Sequence, residues 1–133
     1  MKSKILVVED DEQVRAILVR SLADERTEVI TARDGAEALQ TIDRNTPDLV
    51  LLDICMPRMN GYDVCKTLRE NERTRNLPVI MVSSLAEIAD RLHGLKCGAD
   101  DYVTKPVDPA WLVSKIHNLL VSRKASYPIG VSK

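Results

Sequence analysis

The chain has 133 residues, 44% of them hydrophobic and 29% charged, enough for one domain whose core needs no disulfide or metal staple. A net charge of −1 excludes a global basic field for nucleic acid or anionic lipid, and the four apolar residues after Lys4 are too few for a signal peptide or a membrane span. Three cysteines without a CxxC pair, Cys55, Cys65 and Cys97, read as free thiols of a reducing cytosol, so the expected location is cytoplasmic.

Ile5-Val8 is a continuous apolar run, as in a strand buried on both faces. Glu12-Ala23 carries Val14, Ile17, Leu18 and Leu22 at helical spacing. Glu28-Ala32 is a second, shorter strand. Gly35-Asp43 is a helix with Asp34 as its N-cap. Leu49-Leu52 is a third strand, ended by Asp53, and Gly61-Glu70 a third helix with Val64, Cys65 and Leu68 inward. Pro78-Val82 is the fourth strand. Ala86-Lys96 repeats apolar residues at Ile88, Ala89, Leu92 and Leu95, with Gly98 as helix stop. Tyr102-Val103 is a short fifth strand. Asp108-Pro109 then opens a last helix to about Ser122, whose inward stripe is Leu112, Val113, Ile116, Leu119 and Leu120. Trp111 falls outside that stripe, beside Lys115 and Asn118, as a possible partner face. Residues 1–122 thus form one domain, and the polar residues 123–133 a tail or the start of a linker.

Strands alternating with helices predict an α/β fold: a doubly wound, five-stranded parallel sheet with five helices. Ligands bind such sheets outside the carboxyl ends of the strands, where the order reverses, and in the common order 2-1-3-4-5 strands 1 and 3 are neighbours. One rim then receives Glu9 and Asp10 after strand 1, Asp53 after strand 3, Ser83 after strand 4, and Lys105 after strand 5. Carboxylates ~5 Å apart repel by about 3 kcal/mol per pair at an effective dielectric near 20, so one keeps a proton or a cation sits among them. A small, hard, oxygen-only site open to water suits magnesium, and His93 and His117 lie too far off for a zinc site. A carboxylate beside magnesium has a use as phosphoryl acceptor. Asp53 is the expected nucleophile. Glu9, Asp10, Asp53 and the backbone carbonyl of Cys55 are the expected metal neighbourhood, Glu9 through a water. Lys105 and the Ser83 hydroxyl would face the other phosphoryl oxygens.

These residues carry a resemblance. Ile5-Leu6-Val7-Val8-Glu9-Asp10-Asp11, Asp53 with Met56-Pro57 and Gly61, Pro78-Val79-Ile80 before Ser83, Gly98-Ala99-Asp100-Asp101-Tyr102 and Lys105-Pro106 stand in order at compatible spacing. Over about residues 4–122 the sequence resembles the receiver domains of bacterial two-component response regulators, with their flavodoxin-like fold. The resemblance implies phosphorylation of Asp53 by a histidine kinase or phosphotransfer protein with Mg2+. It implies a cis Lys105-Pro106 bond and a switch at Ser83 and Tyr102. Also implied are an output domain or protein target, a phospho-dependent homodimer as one mode of output, and no direct nucleic-acid or membrane contact. Such a domain is a signalling module, not an enzyme, and catalyses only its own phosphorylation and dephosphorylation. Cys55 and Leu85 flank the expected path of attacking water.

Two other functions stand beside this one. An aspartate-nucleophile phosphohydrolase would need a second acid two residues after the nucleophile, where this chain has Cys55. A degenerate, interaction-only domain has no use for Glu9, Asp10, Asp53, Ser83 and Lys105 together.

Overall fold

A computed structural model describes residues 2–56, 58–84 and 88–129, except for the side chains of residues 88, 89 and 123–129. In chain order the elements are β1 (Ser3–Val8), α1 (Glu12–Leu22), β2 (Thr27–Ala32), α2 (Gly35–Arg44), β3 (Leu49–Asp53), α3 (Gly61–Glu70), β4 (Val79–Ser83), α4 (Ile88–Lys96), β5 (Asp101–Thr104) and α5 (Pro109–Ile129). The strands pair in parallel in the order β2-β1-β3-β4-β5. β3 and β4 are buried along their whole length. Their continuous apolar runs follow from that, since helices cover both faces.

Alternation along each strand divides the core in two. Leu6, Val8, Val50 and Leu52 point to the layer of Ala38, Ile42, Val64 and Leu68, from α2 and α3. Ile5, Val7, Leu49 and Leu51 point to the layer of Leu18, Leu22, Leu112 and Ile116, from α1 and α5. Asp11 caps α1 by accepting from the backbone N–H groups of Gln13 and Val14, and Asp34 and Asn60 do the same for α2 and α3.

At the far end of the sheet from the strand carboxyl ends, Arg69 of α3 gathers several neighbours. It donates to the carbonyls of Gly98 at 2.8 Å, Leu77 at 2.6 Å and Arg75 at 3.1 Å, and to the Asp100 carboxylate at 3.1 Å. Asp100 in turn accepts from the Val79 N–H at 2.8 Å, so α3, the start of β4 and the turn before β5 are tied together.

Several sequence expectations are corrected. Ile17, expected inward on α1, is 55% exposed, because α1 and the β5–α5 loop leave a groove between them. Val113 is exposed as well, and α5 packs through Leu112 and Ile116, with Leu119 and Leu120 partly buried against the same layer. Leu92 and Leu95 are exposed because α4 turns Gly94 toward the sheet instead. The side chains of Ile88 and Ala89, from the same expected stripe, lie outside the described residues. β4 starts at Val79, since Pro78 has no N–H to give the ladder. α5 continues to Ile129, through part of the segment read as tail. Polarity ended that expected helix at Ser122, yet no glycine or proline stands between Ser122 and Pro128.

Candidate functional site

The register carries the rim. Asp53 pairs with Val82 and Ser83 with Thr104, so the ends of β3, β4 and β5 come level, beside the acids that follow β1. Glu9, Asp10 and Asp53 bring carboxylate oxygens within 4.8 Å of one another. Glu9 and Asp53 are buried, 2% and 3% exposed, while Asp10 faces solvent. Lys105 comes in from β5, its Nζ 3.0 Å from Glu9 Oε1 and 3.5 Å from Asp53 Oδ1. One ammonium thus serves two buried carboxylates.

That sharing leaves Asp53 short of positive charge. Burial pushes its pKa up most, and the Glu9 carboxylate adds to it. Lys105 pulls back and Asp10 adds a little, so the value rises from 3.8 to about 7. For Lys105, burial works toward a lower pKa, but Glu9 and Asp53 outweigh it and hold the ammonium charged. Glu9 Oε1 has this ion pair and no well-aligned hydrogen bond, while Oε2 accepts from the Asp11 N–H at 3.1 Å. A buried carboxylate oxygen open on one side, in a trio of acids with one shared cation, fits a hard divalent ion.

Neighbouring backbone makes the arrangement rigid. Arg15 of α1 reaches back and donates to the Glu9 carbonyl at 2.9 Å. Gly61, at the start of α3, donates its N–H to the Ile54 carbonyl at 3.0 Å. A Cβ there would stand 2.6 Å from the Asp53 carbonyl oxygen, so only glycine lets α3 close on the turn behind Asp53. The Lys105-Pro106 bond is cis, as the resemblance implied.

A family model described as the response regulator receiver domain matches residues 5–117. The chain belongs to the response regulator receiver domains. Among curated relatives, a Cyanophora paradoxa protein named "probable transcriptional regulator ycf27" is 46% identical over 119 residues, covering 90% of this chain and 48% of that protein. The response regulator PleD of Caulobacter vibrioides is 41% identical, over 90% of this chain and 26% of its own length. The chain therefore spans about half or less of these relatives. Among solved structures, a Francisella response regulator receiver domain is 33% identical with a TM-score of 0.84, covering 92% of this chain and 99% of that one. A CheY-like receiver domain protein from Methanospirillum hungatei is 29% identical with a TM-score of 0.87, covering 95% and 99%. The fold expected from the sequence, down to strand order, is the receiver fold.

Ser83 is buried at the end of β4. Cys55 is exposed, its Sγ 4.0 Å from Ser83 Oγ, while Leu85 lies outside the described residues. Tyr102 is 1% exposed and already turned inward. Burial raises the pKa of its phenol, against a hydrogen bond with Ser83 that lowers it, so the two residues expected to form a switch are in direct contact. Trp111 is 47% exposed, with Lys115 Nζ 4.7 Å from its ring centroid, on the side the helical spacing indicated. Lys115 also pairs with Asp101 of β5 at 2.6 Å. Sequence reading missed Arg15 and the Lys115–Asp101 pair. Arg15 sits four residues after Asp11, but nothing in its spacing says it turns back to Glu9. No helix among the described residues is long and apolar enough to cross a membrane.

Proposed function

We propose that this receiver domain accepts a phosphoryl group on Asp53 and that the acceptor works with Mg2+. The observation that carries the reading is the sharing of Lys105 by Glu9 and Asp53, beside Asp10. Glu9, Asp10 and Asp53, with the Cys55 carbonyl, would hold the ion, Glu9 through a water. When bound, the ion neutralises the acids and a phosphoryl oxygen. An Asp53 oxygen attacks phosphorus. An O–P bond forms to give an acyl phosphate, and the P–N bond of a phosphohistidine breaks, its electron pair leaving with the imidazole. Lys105 moves from sharing two carboxylates to pairing with the phosphoryl group, and the Ser83 hydroxyl donates to another phosphoryl oxygen.

The donor is a histidine kinase or phosphotransfer protein in the cytoplasm. It would dock on the apolar groove of about 480 Å³ that runs along the rim from Lys105, lined by Val14, Ile17, Leu18, Pro106, Val107 and Pro109. The output face is made by α4, β5 and α5, which present Leu92, Leu95 and Trp111 to solvent. It would meet an output domain, a protein target or a second copy of the chain. The receiver unit is residues 1–122, and the segment from 123 on serves as a tail or the start of a linker. A phosphohydrolase is disfavoured because Cys55 gives no acid to protonate a leaving alcohol.

Labelling with acetyl phosphate and Mg2+ tests the reading. Asp53 should take up phosphate, Asp53→Asn should not, and chelation should stop the reaction. Undiminished labelling of Asp53→Asn would sink it.

A further inference from the structure

Gly94 has no evident reason to be glycine. It lies inside α4, where glycine is a poorer helix former than any residue but proline, and its backbone is not in the left-handed region. Space supplies the reason. A Cβ on Gly94 would stand 3.0 Å from Met81 Sδ and 3.1 and 3.4 Å from Tyr102 Cδ2 and Cε2. Met81 and Tyr102 are register partners on β4 and β5 and are both buried. Arg91, one turn earlier on α4, holds its guanidinium carbon 5.4 Å from the centroid of the same ring. α4 therefore meets the sheet through its smallest residue, directly over Tyr102, and leaves Leu92 and Leu95 outside.

We propose that Gly94 is the positioning residue for the Tyr102 ring: its missing side chain lets α4 close on the inward ring and so sets the balance between inward and outward Tyr102. Met81 has a flexible thioether but is 0% exposed and walled in by the core, so it has little room to give way. The ring has a way out that Met81 lacks, because β5 is the edge strand of the sheet whereas β4 lies between β3 and β5. A methyl at position 94 is thus relieved mainly by Tyr102 leaving its seat, which breaks its contact with Ser83. The inference deepens the switch reading above and rests on it for its effect on output. The seat itself is measurable without phosphorylation.

The experiment uses the full chain and the variants Gly94→Ala, Tyr102→Ala and Gly94→Ala/Tyr102→Ala. Tyr102 exposure is read as its rate of nitration by tetranitromethane, mapped by peptide mass, which separates it from Tyr62 and Tyr127. If the outward ring rises from about a tenth of the population to most of it, nitration of Tyr102 speeds up about five- to tenfold in Gly94→Ala. In the Tyr102→Ala background, where the ring is gone, Gly94→Ala should raise the unfolding midpoint through helix propensity alone. In the wild-type background it should not. Unchanged nitration, or the same midpoint shift in both backgrounds, would overturn the proposal. If Gly94→Ala alone does not fold, the double variant still decides: it must be at least as stable as Tyr102→Ala, and a further loss overturns the idea. Acetyl phosphate labelling of Asp53 is run on wild type and variants alike. Failure of labelling in wild type would count against the acceptor reading and leave the seat standing.

Discussion

Removing the charge of Asp53 should stabilise the metal-free protein. The carboxyl is 3% exposed and its pKa is raised from 3.8 to about 7 by burial first and Glu9 next. A raised acid pKa means that the folded state binds the proton more tightly than the unfolded state. Stability therefore grows as pH falls from above 7 toward about 4 and is lost as pH rises through that window. At ~1.4 kcal/mol per tenfold, holding the ionised carboxylate in the fold at pH 8 costs about 4 kcal/mol, whereas at pH 5 the folded carboxyl is protonated and gives up about 2 kcal/mol of ionisation that the unfolded chain keeps. Asn fills the same space without the charge but leaves Lys105 with one carboxylate fewer. We expect Asp53→Asn to gain about 2–4 kcal/mol at pH 8 and roughly half that at pH 5. Urea unfolding in EDTA, followed by circular dichroism at both pH values, measures the gain. Adding Mg2+ should raise the wild-type midpoint and move the variant much less. An Asp53→Asn protein no more stable than wild type at pH 8, or a gain equal at both pH values, would refute the electrostatic account of the site.

Lys105→Ala removes the shared cation. The metal-free protein should lose about 2 kcal/mol, less than a fully buried pair because the ammonium side chain is 26% exposed. Mg2+ should restore part of the loss, and phosphorylation should no longer change amide exchange around Ser83 and α4. An exchange response equal to wild type would remove Lys105 from the relay. Ile17→Asp places a charge in the apolar groove beside Lys105. Transfer from a phosphohistidine donor protein should fall at least about tenfold, equivalent to ~1.4 kcal/mol, while acetyl phosphate labelling stays as in wild type. Equal losses with both donors would mean that the groove is not the docking site. Trp111→Ala should change stability by no more than about 1 kcal/mol, since it gives up one exposed contact with Lys115. It should weaken target binding or phospho-dependent self-association and spare Asp53 labelling. Wild-type partner affinity would take Trp111 out of the interface.

Much of this molecule was legible in the sequence, and for a specific reason. Ile5-Val8, Leu49-Leu52 and Val79-Val82 are buried on both faces, so hydrophobicity marks them without any knowledge of topology. The acids, Ser83 and Lys105 stand just after such runs, and a parallel sheet brings the ends of its strands to one rim whatever the helices do. Helix orientation was harder. The apolar repeat Leu92, Leu95 has helical spacing, but that spacing cannot tell a core stripe from an exposed one, and a glycine gives no hydrophobic signal for the side that touches the sheet. The length of α5 escaped because polar residues between Ser122 and Pro128 look like a tail but carry no helix stop. Lys105 was expected at the rim. Its division between Glu9 and Asp53 is a matter of distance, which spacing along the chain does not encode.

The Arg69 cluster gives α4 an asymmetry. Its guanidinium grips Gly98 and Asp100, just past the C-terminal end of the helix, and binds them to α3 and to the start of β4. That end is bolted, whereas Tyr102 lies under the middle of the helix and Ser83 ends the strand that precedes it. If the Tyr102 ring shifts, α4 should therefore pivot about Gly98 more than translate. The nine residues of α4 span about 14 Å, so a swing of ~10° moves the Ile88 end by roughly 2 Å and the Lys96 end hardly at all. A partner that reads this helix by its first turns would feel most of the motion, and one that grips its last turn would feel almost none.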